Sequence, residues 1–348
     1  MVSSHSPRRP SPSRRSATVT IDDVARAAKV SKTTVSHVLS GKRPVAVATR
    51  KHVEKVMGDL GFQPNFFAQA LNKSGGRTVA LLAQDITNPF YPALARGLQR
   101  SVQQSGHVVM LFDGDAGPAT TKTSIQAAVQ RRVDGMVVAV SDIDDEIAEV
   151  LRANIPVVVV GASASRLDLD WVTADDTRIA GDVVDRFVGK GHTAIATISG
   201  PQDHAPGGPR QHGFSAALIR HGLPLPGEYV VEGDWTRTGG FEAMRALLAL
   251  EKRPTAVFCA NDLMAIGAID AARQAGLSLP GDIAVVGVDD IEAASLVSPT
   301  LTTVRIPAEE IGRAAGDLLV HRIEDNGDLT SPPRHVLVQH QLIVRESM

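Results

Sequence analysis

The sequence predicts a chain of two parts, a small all-α head followed by a larger α/β body. Between positions 20 and 61, apolar residues recur at helical spacing in three short groups that can share one small core. From position 77 onward, short runs rich in valine, isoleucine and alanine alternate with helical stretches. A Ser-Gly-Gly break at 74–76 separates the two patterns and marks the boundary between the parts.

Residues 1–17 predict a disordered basic tail. They are rich in serine, proline and arginine and contain no apolar stretch, so they do not form a secretion signal. No run of about 18 apolar residues occurs in the chain, and no membrane span is expected. The single cysteine, Cys259, excludes an intrachain disulfide and fits the reducing cytoplasm.

The formal net charge of −2 conceals an uneven distribution. Residues 1–75 contain 13 lysines and arginines against four acids, whereas the remainder contains 23 bases against 34 acids. A basic head on an acidic body is typical of a polyanion-binding module joined to a separate domain.

Residues 18–63 predict two helices of about eight residues, a tight turn at 29–31 between them, and a third helix. Thr20 and Asp23 match a capping box for the first helix, and Ser31 is a candidate N-cap for the second. This is the helix-turn-helix layout, in which the second helix enters the DNA major groove. The candidate DNA contacts here are Thr20, Lys32, Thr33, Thr34, Ser36 and His37. The apolar residues expected to place the third helix on the core are Val53, Val56, Met57 and Leu60.

Residues 64–76 predict a short amphipathic helix and a flexible linker. The segment "PNFFAQALNKSGGRT" contains too few residues for a helix that is stable alone in water. Either it folds against a partner, as a hinge, or it packs on the body as an ordinary linker helix.

The body predicts a parallel, doubly wound sheet structure. Its strand candidates are "TVALLAQ", "HVVMLF", "GMVVAV", "IPVVVV", "AIATIS", "YVVEG", "TAVFCA" and "IAVVGV", and helical stretches separate most of them. About 270 residues is long for one sheet, which favours two lobes.

The motifs of a catalytic α/β protein are missing from this pattern. The position after the first strand reads "AQDITNPF" where a dinucleotide fold needs G-x-G-x-x-G, and no Walker lysine follows a glycine-rich loop. The histidines lack the spacing of a metal site. We therefore expect no enzyme activity, no cofactor and no metal.

Several segments together resemble the LacI/GalR family of bacterial regulators. They are "VTIDDVARAAKVSKTTVSHVLSGK", "LGFQPNFFAQAL", "DITNPFY", "RRVDGMVV", "GKGHTAIATISGP", "RQHGF", "CANDLMAIGAIDAARQAG", "DIAVVGVDDI" and "PTLTTVR", in family order over residues 18–345. The resemblance implies a cytoplasmic, nucleoid-associated homodimer that binds double-stranded operator DNA. It implies that Asn65 and Leu71 of the hinge contact DNA, with Leu71 wedged between base steps. The chain departs from the family at His37, Ser40 and Gln69, where Arg, Asn and Arg are usual, and His37 therefore suggests an altered base preference.

The resemblance also implies that residues 77–346 form a two-lobed effector and dimerisation domain, like periplasmic sugar-binding proteins. The first lobe would comprise 77–174 and 306–333, and the second 175–305 and 334–346, with crossings near Asp175, Arg305 and Arg334. Ligands of open α/β sheets lie beyond the carboxyl ends of strands, where the loops here offer carboxylates, amides, one guanidinium and aromatic rings. That set suits a sugar. The candidate effector contacts are Phe90, Tyr91, Ser141, Asp175, Arg210, Trp235, Asn261 and Asp289.

Alternatives stay open at this stage. Trp235 could be a core residue and Asn261 a helix N-cap. A sugar-binding transport protein would need a secretion signal and would not need residues 20–44. An α/β enzyme with an accessory DNA module would need a catalytic constellation. Within the family resemblance, the effector could instead be a nucleobase or other metabolite acting as corepressor.

Overall fold

The computed structural model describes residues 19–40, 43–62, 77–114, 118–161, 167–202, 205–325 and 331–348. The chain divides into two compact units, Met1–Ser74 and Gly75–Met348. The predicted tail at 1–17 and hinge at 64–76, with Asn65 and Leu71, lie outside the described residues. No helix in the described ranges is long and apolar enough to cross a membrane.

The described residues of the first unit form three helices, α1 (Ile21–Ala27), α2 (Lys32–Ser40) and α3 (Val47–Asp59). The capping box forms as predicted: the Thr20 hydroxyl accepts from the Asp23 N–H, and Asp23 Oδ2 accepts from the Thr20 N–H at 3.0 Å. Ser31 Oγ accepts from the Thr34 N–H at 3.0 Å, which is the N-cap bond of α2. One fully buried valine from each helix, Val24, Val35 and Val53, forms the centre of the small core.

Two details of α3 follow from its sequence. Its N-cap residue, Ala46, makes no side-chain cap bond. Leu60, expected in the core, is 38% exposed. Leu60 is the C-cap residue of α3, at a position where the apolar face of the helix no longer points to the core. Phe62 packs against the core instead.

In the part of the second unit that the structure describes, the strands form two six-stranded sheets. The first consists of β1 (Thr78–Ala83), β2 (Val108–Asp113), β3 (Gly135–Ala139), β4 (Val157–Val160), β5 (Asp170–Ala174) and β11 (His335–Val338). The second consists of β6 (Ile195–Ser199), β7 (Val230–Glu232), β8 (Ala256–Cys259), β9 (Ala284–Asp289), β10 (Thr302–Arg305) and β12 (Gln341–Ile343). Their orders are β2-β1-β3-β4-β5-β11 and β7-β6-β8-β9-β10-β12. The two lobes thus repeat one plan, and β12 pairs antiparallel with β10 where the other described pairs are parallel.

Helices connect the strands. Those that pack on the first sheet are α4 (Phe90–Val102), α5 (Pro118–Gln130), α6 (Asp144–Arg152) and α11 (Ala308–Glu324). Those that pack on the second are α7 (Asp176–Gly189), α8 (Gly207–Arg220), α9 (Arg237–Leu248) and α10 (Asp262–Gln274). Short 3₁₀ turns lie at Gln103–Ser105, Gly227–Tyr229 and Glu292–Ser295. The backbones of α4 and α11 approach so closely that a Cβ on Gly97 would lie 2.0 Å from the Glu309 carbonyl oxygen, which only glycine permits.

The chain passes between the lobes after β5, after β10 and between β11 and β12. The last passage corrects the prediction, which placed residues from 334 onward in the second lobe. Val336 pairs with Val172 in the first sheet, so the chain crosses after Val338. The sequence "LVQHQLIVRESM" reads as one strand-like run, and the break at 339–340 has no glycine or proline to mark it.

Candidate effector cavity and DNA-reading helix

A cavity of about 370 Å³ lies between the two lobes, at the carboxyl ends of the strands. Its walls come from the carboxyl ends of β1, β3, β4 and β5 in the first sheet and of β6, β7, β8, β9 and β10 in the second, with the segments that follow them. In each sheet the first strand lies between the second and the third, which is the switch point where doubly wound folds bind ligands. Of the eight predicted effector contacts, seven line this cavity: Phe90, Tyr91, Ser141, Arg210, Trp235, Asn261 and Asp289.

The first lobe contributes an aromatic pair and a contact to the opposite wall. The rings of Phe90 and Tyr91 meet edge to face, with centroids 5.3 Å apart. Burial, and secondarily the negative charge of Asp289, raises the pKa of the Tyr91 hydroxyl above its usual range, so it stays a neutral donor. Ser141 Oγ donates to the Ala205 carbonyl oxygen at 2.7 Å, and this bond joins the two lobes at the cavity wall.

Arg210 lies at the centre of the second-lobe wall. Its Nε donates to Asp176 Oδ1 at 2.8 Å, and its Nη1 donates to the Ala260 carbonyl oxygen at the end of β8. Both side chains of the ion pair are buried, 6% exposed for Arg210 and 5% for Asp176. Burial raises the pKa of Asp176, while the guanidinium beside it acts in the opposite direction. The pair therefore fixes the start of α7 to α8 and leaves an oriented charged surface in the cavity.

Asp289 faces the same cavity from the end of β9. Burial raises the pKa of its carboxyl to about 7; Arg210 opposes this rise and Asp176 adds to it. No described residue donates a hydrogen bond to its side chain, so its oxygens are available to a ligand. Its neighbour Asp290 holds the loop from behind, because its carboxylate pairs with Arg305 at 2.7 Å and with Arg345 at 2.5 Å.

Trp235 and Asn261 are joined by a hydrogen bond at the cavity wall. Trp235 adopts φ = +68°, a strained conformation for a bulky residue that costs about 1–3 kcal/mol. Its ring packs on Gly200, where a Cβ would lie 2.1 Å from the indole. The Asn261 side-chain amide donates to the Trp235 carbonyl at 2.9 Å and accepts from the Met264 N–H at 2.9 Å. Asn261 is thus both the N-cap of α10 and the support that holds Trp235 at the cavity.

The structure corrects the eighth predicted contact, Asp175. Its carboxylate accepts from the Arg178 N–H at 2.9 Å, so it caps α7 and does not line the cavity. The next residue, Asp176, is the buried partner of Arg210. The capping rule could have separated them, since an aspartate directly before a helix is the expected cap. Four further acids line the cavity that were not among the predicted contacts: Asp85, Asp142, Asp144 and Asp234.

In the first unit, α2 presents a polar face. Lys32, Thr33 and Ser36 are exposed, and Thr34 and His37 are partly exposed. Val35 and Val38 on the opposite side are buried, which fixes the rotation of the helix. Lys32 Nζ pairs with Asp22 at 3.0 Å between exposed side chains, a bond that a DNA phosphate can replace at small cost. Thr20 and Thr34 are engaged in the caps of α1 and α2.

A helix-turn-helix unit joined to a two-lobed body with a central cavity defines a DNA-binding transcriptional regulator with a small-molecule sensor domain. A family model for bacterial regulatory proteins of the lacI family matches residues 20–65, and a model for periplasmic binding protein-like domains matches residues 184–348. The chain belongs to the lacI family of bacterial regulatory proteins.

Individual relatives agree. The ribose operon repressor of Escherichia coli K12 is 39% identical over 87% of this chain and 93% of its own length. The repressor PurR of Erwinia tasmaniensis is 36% identical over 87% of this chain and 90% of its own. The structure of the lac repressor dimer bound to operator and the anti-inducer ONPF superposes with a TM-score of 0.83, at 27% identity, over 94% of this chain and 98% of that one.

Proposed function

We propose that this chain is a homodimeric repressor that binds operator DNA and leaves it when a sugar enters the cavity between the lobes. The observation that carries the proposal is the composition of that cavity. A guanidinium–carboxylate pair, a free carboxylate and an indole ring converge on one space of about 370 Å³. Carboxylate oxygens accept from sugar hydroxyls, the guanidinium donates to them, and the indole packs on the C–H face of the ring.

The similarity to the ribose operon repressor supports a pentose as the first ligand to test. Phe90, Tyr91, Ser141, Arg210, Trp235, Asn261 and Asp289 are the proposed effector residues. The relatives reported above are repressors, and we propose no catalytic step for this chain. We also propose that it works in the cytoplasm, where bacterial operator DNA lies.

On the DNA side, we propose that α2 reads bases with Lys32, Thr33, Ser36 and His37. The dimer then places two such helices on two half-sites. Asn65 and Leu71 remain proposed minor-groove contacts, with Leu71 as an intercalating wedge.

The mechanism that we propose is thermodynamic linkage. Ligand contacts on both walls favour closed lobes, and closure changes how the two subunits present their DNA-binding heads. If the ligand lowers operator affinity by some factor, operator lowers ligand affinity by the same factor.

The chain contains two tryptophans, Trp171 and Trp235, and they provide a direct test. Trp235 lines the cavity, whereas Trp171 lies on β5 stacked on His335, with centroids 4.4 Å apart. We expect D-ribose to raise the melting temperature, since a ligand that binds the native state stabilises it. It should also change the fluorescence of the Trp171→Phe variant, whose only indole is in the cavity. The matched Trp235→Phe variant should show no change. A response carried by Trp171 alone would place the ligand elsewhere.

A purine base acting as corepressor is the second candidate, favoured by the 36% identity to PurR. The cavity carboxylates can accept from its ring N–H groups, and Trp235 can stack on it. Hypoxanthine and guanine therefore belong in the same fluorescence titrations, and the sign of their effect on DNA binding separates the two mechanisms.

A further inference from the structure

The charge of the residues that line the cavity indicates which ligands can bind, in addition to what the size and shape of the cavity indicate. Among the described residues that line it, six are aspartates and one, Arg210, is a cation. Both lobes contribute acids to the wall. The first lobe supplies Asp85, Asp142 and Asp144, and the second supplies Asp176, Asp234 and Asp289.

The charge of the single guanidinium is already paired with a carboxylate of the wall. Arg210 donates from Nε to Asp176 and from Nη1 to the Ala260 carbonyl, so its charge is balanced within the wall. Asp85, Asp142 and Asp234 form no ion pair with any described residue. An incoming anion would therefore meet carboxylates without a cation to offset them, and bringing like charges together weakens binding.

Helix N-termini are the other common anion sites, because their first N–H groups are unpaired. At this face they are mostly occupied by side-chain oxygens. Asn88 accepts from the Phe90 N–H at the start of α4, and the caps of α7, α9 and α10 are Asp175, Thr236 and Asn261. The start of α8 has no side-chain cap but packs on the Pro201 carbonyl, since a Cβ on Gly207 would lie 1.9 Å from that oxygen. The starts of α6 and α11 have no side-chain cap, but the first turn of each is acidic, with Asp144–Glu146 in α6 and Glu309 and Glu310 in α11. Capping oxygens or first-turn carboxylates thus oppose a phosphate at most of the helix starts around the cavity.

We infer that the cavity accepts uncharged sugars and rejects their phosphate esters. This inference rests on the proposed function and specifies its ligand class. The sensor would then respond to a sugar before the kinase reaction that phosphorylates it, and would not respond to the product. The ester should bind at least about 100-fold more weakly than the parent sugar, as expected when like charges are brought together.

Three of the acids can be neutralised with little change of geometry. Asp85 Oδ1 accepts from the Thr87 N–H at 2.7 Å and hydroxyl at 2.6 Å, and an asparagine oxygen can accept the same bonds. Asp234 makes the matching pair of bonds with Thr236, at 2.9 and 2.7 Å. Asp142 has φ = +58°, a conformation that asparagine also tolerates. The control variant is Glu251→Gln, which removes an exposed charge outside the cavity.

The experiment measures the affinities of D-ribose and D-ribose 5-phosphate for the full chain by calorimetry at pH 7.5. A neutral ribose ether of similar bulk at the same hydroxyl serves as the size control. In the wild type and in Glu251→Gln, the ester should bind at least about 100-fold more weakly than ribose, and the ether should fall between them. In the triple variant Asp85→Asn, Asp142→Asn, Asp234→Asn, the ratio of the dissociation constant of the ester to that of ribose should decrease at least about tenfold.

Three outcomes would overturn the inference. An ester that binds the wild type within tenfold of ribose would show that the acids do not exclude anions. A ratio that the triple variant leaves unchanged, or an ether as weak as the ester, would show that exclusion is steric. If ribose and every other neutral ligand tested fail to bind, the proposed sugar sensor is itself wrong. That failure is distinct, because it concerns the parent sugar and not the ratio.

Discussion

The ion pair between Arg210 and Asp176 should be the strongest single interaction in the cavity wall. At 2.8 Å and an effective dielectric constant of about 20, the attraction between the two charges is about 6 kcal/mol before desolvation is subtracted. Because both side chains are buried, breaking the pair leaves an uncompensated charge, which typically costs about 3–5 kcal/mol. We expect Arg210→Met to lower the free energy of unfolding by that amount. Asp176→Asn should cost less, because Arg210 keeps the Ala260 carbonyl and lies close to Asp289.

The double variant gives the coupling energy between Arg210 and Asp176, separately from the interactions that each residue makes with other groups. With both charges gone, the loss should be smaller than the sum of the single losses by about 2–3 kcal/mol. The assay is guanidinium unfolding at one fixed protein concentration. The control cycle is Arg245→Met with Glu242→Gln, an exposed pair at 2.9 Å on α9, whose coupling should stay below about 1 kcal/mol. A coupling for Arg210 and Asp176 as small as that of the control pair would refute the reasoning.

Two further predictions concern the DNA-reading helix and the titration of the cavity. Substituting His37 by Arg should change the base preference at one operator position by about 1–3 kcal/mol, measured by selection from randomised duplexes, and an unchanged profile would exclude α2 as the reader. Asp289 has a folded-state pKa of about 7 against an ordinary value of 3.8, so the folded protein holds this proton more tightly. Its contribution to stability is therefore present at low pH and is lost as pH rises from about 4 through 7. Asp289→Asn should raise the melting temperature above pH 7, by the equivalent of at most about 4 kcal/mol, and change it little at pH 4; an equal change at both pH values would contradict this.

The sequence was sufficient for the features that depend on local pattern. The capping box at Thr20 is decided by residues three apart, and the valine-rich strands are decided by their own composition. The sequence pattern does not predict the strands β5 and β10, because they begin with polar residues whose partners are distant in the chain. Asp170 of β5 accepts two bonds from Arg322, which lies on α11 and is 152 positions away in the chain. Such a strand is polar in sequence and buried in the structure.

For the cavity, too, the sequence predicts features that depend on local pattern but not those that depend on distant contacts. Seven lining residues could be predicted because each lies at the carboxyl end of a strand, in the loop directly after a strand, or on the helix that follows. The role of each residue within the cavity could not be predicted, because it depends on contacts between loops that are far apart in the sequence. Asp175 and Asp176 are adjacent and chemically identical, and only the rotation of α7 decides which one caps the helix and which one meets Arg210. The excess of aspartates over cations likewise emerges only when five segments from two lobes meet around one cavity.

The central claim is that ligand occupancy and operator affinity are linked, and one titration tests it most directly. An operator selected from randomised duplexes is bound by the full-length protein, and its fluorescence anisotropy is followed as D-ribose is added. We expect ribose to weaken operator binding at least about fivefold, and operator to weaken ribose binding by the same factor. An operator affinity that stays constant while ribose saturates the cavity, as reported by Trp235 fluorescence, would contradict the account.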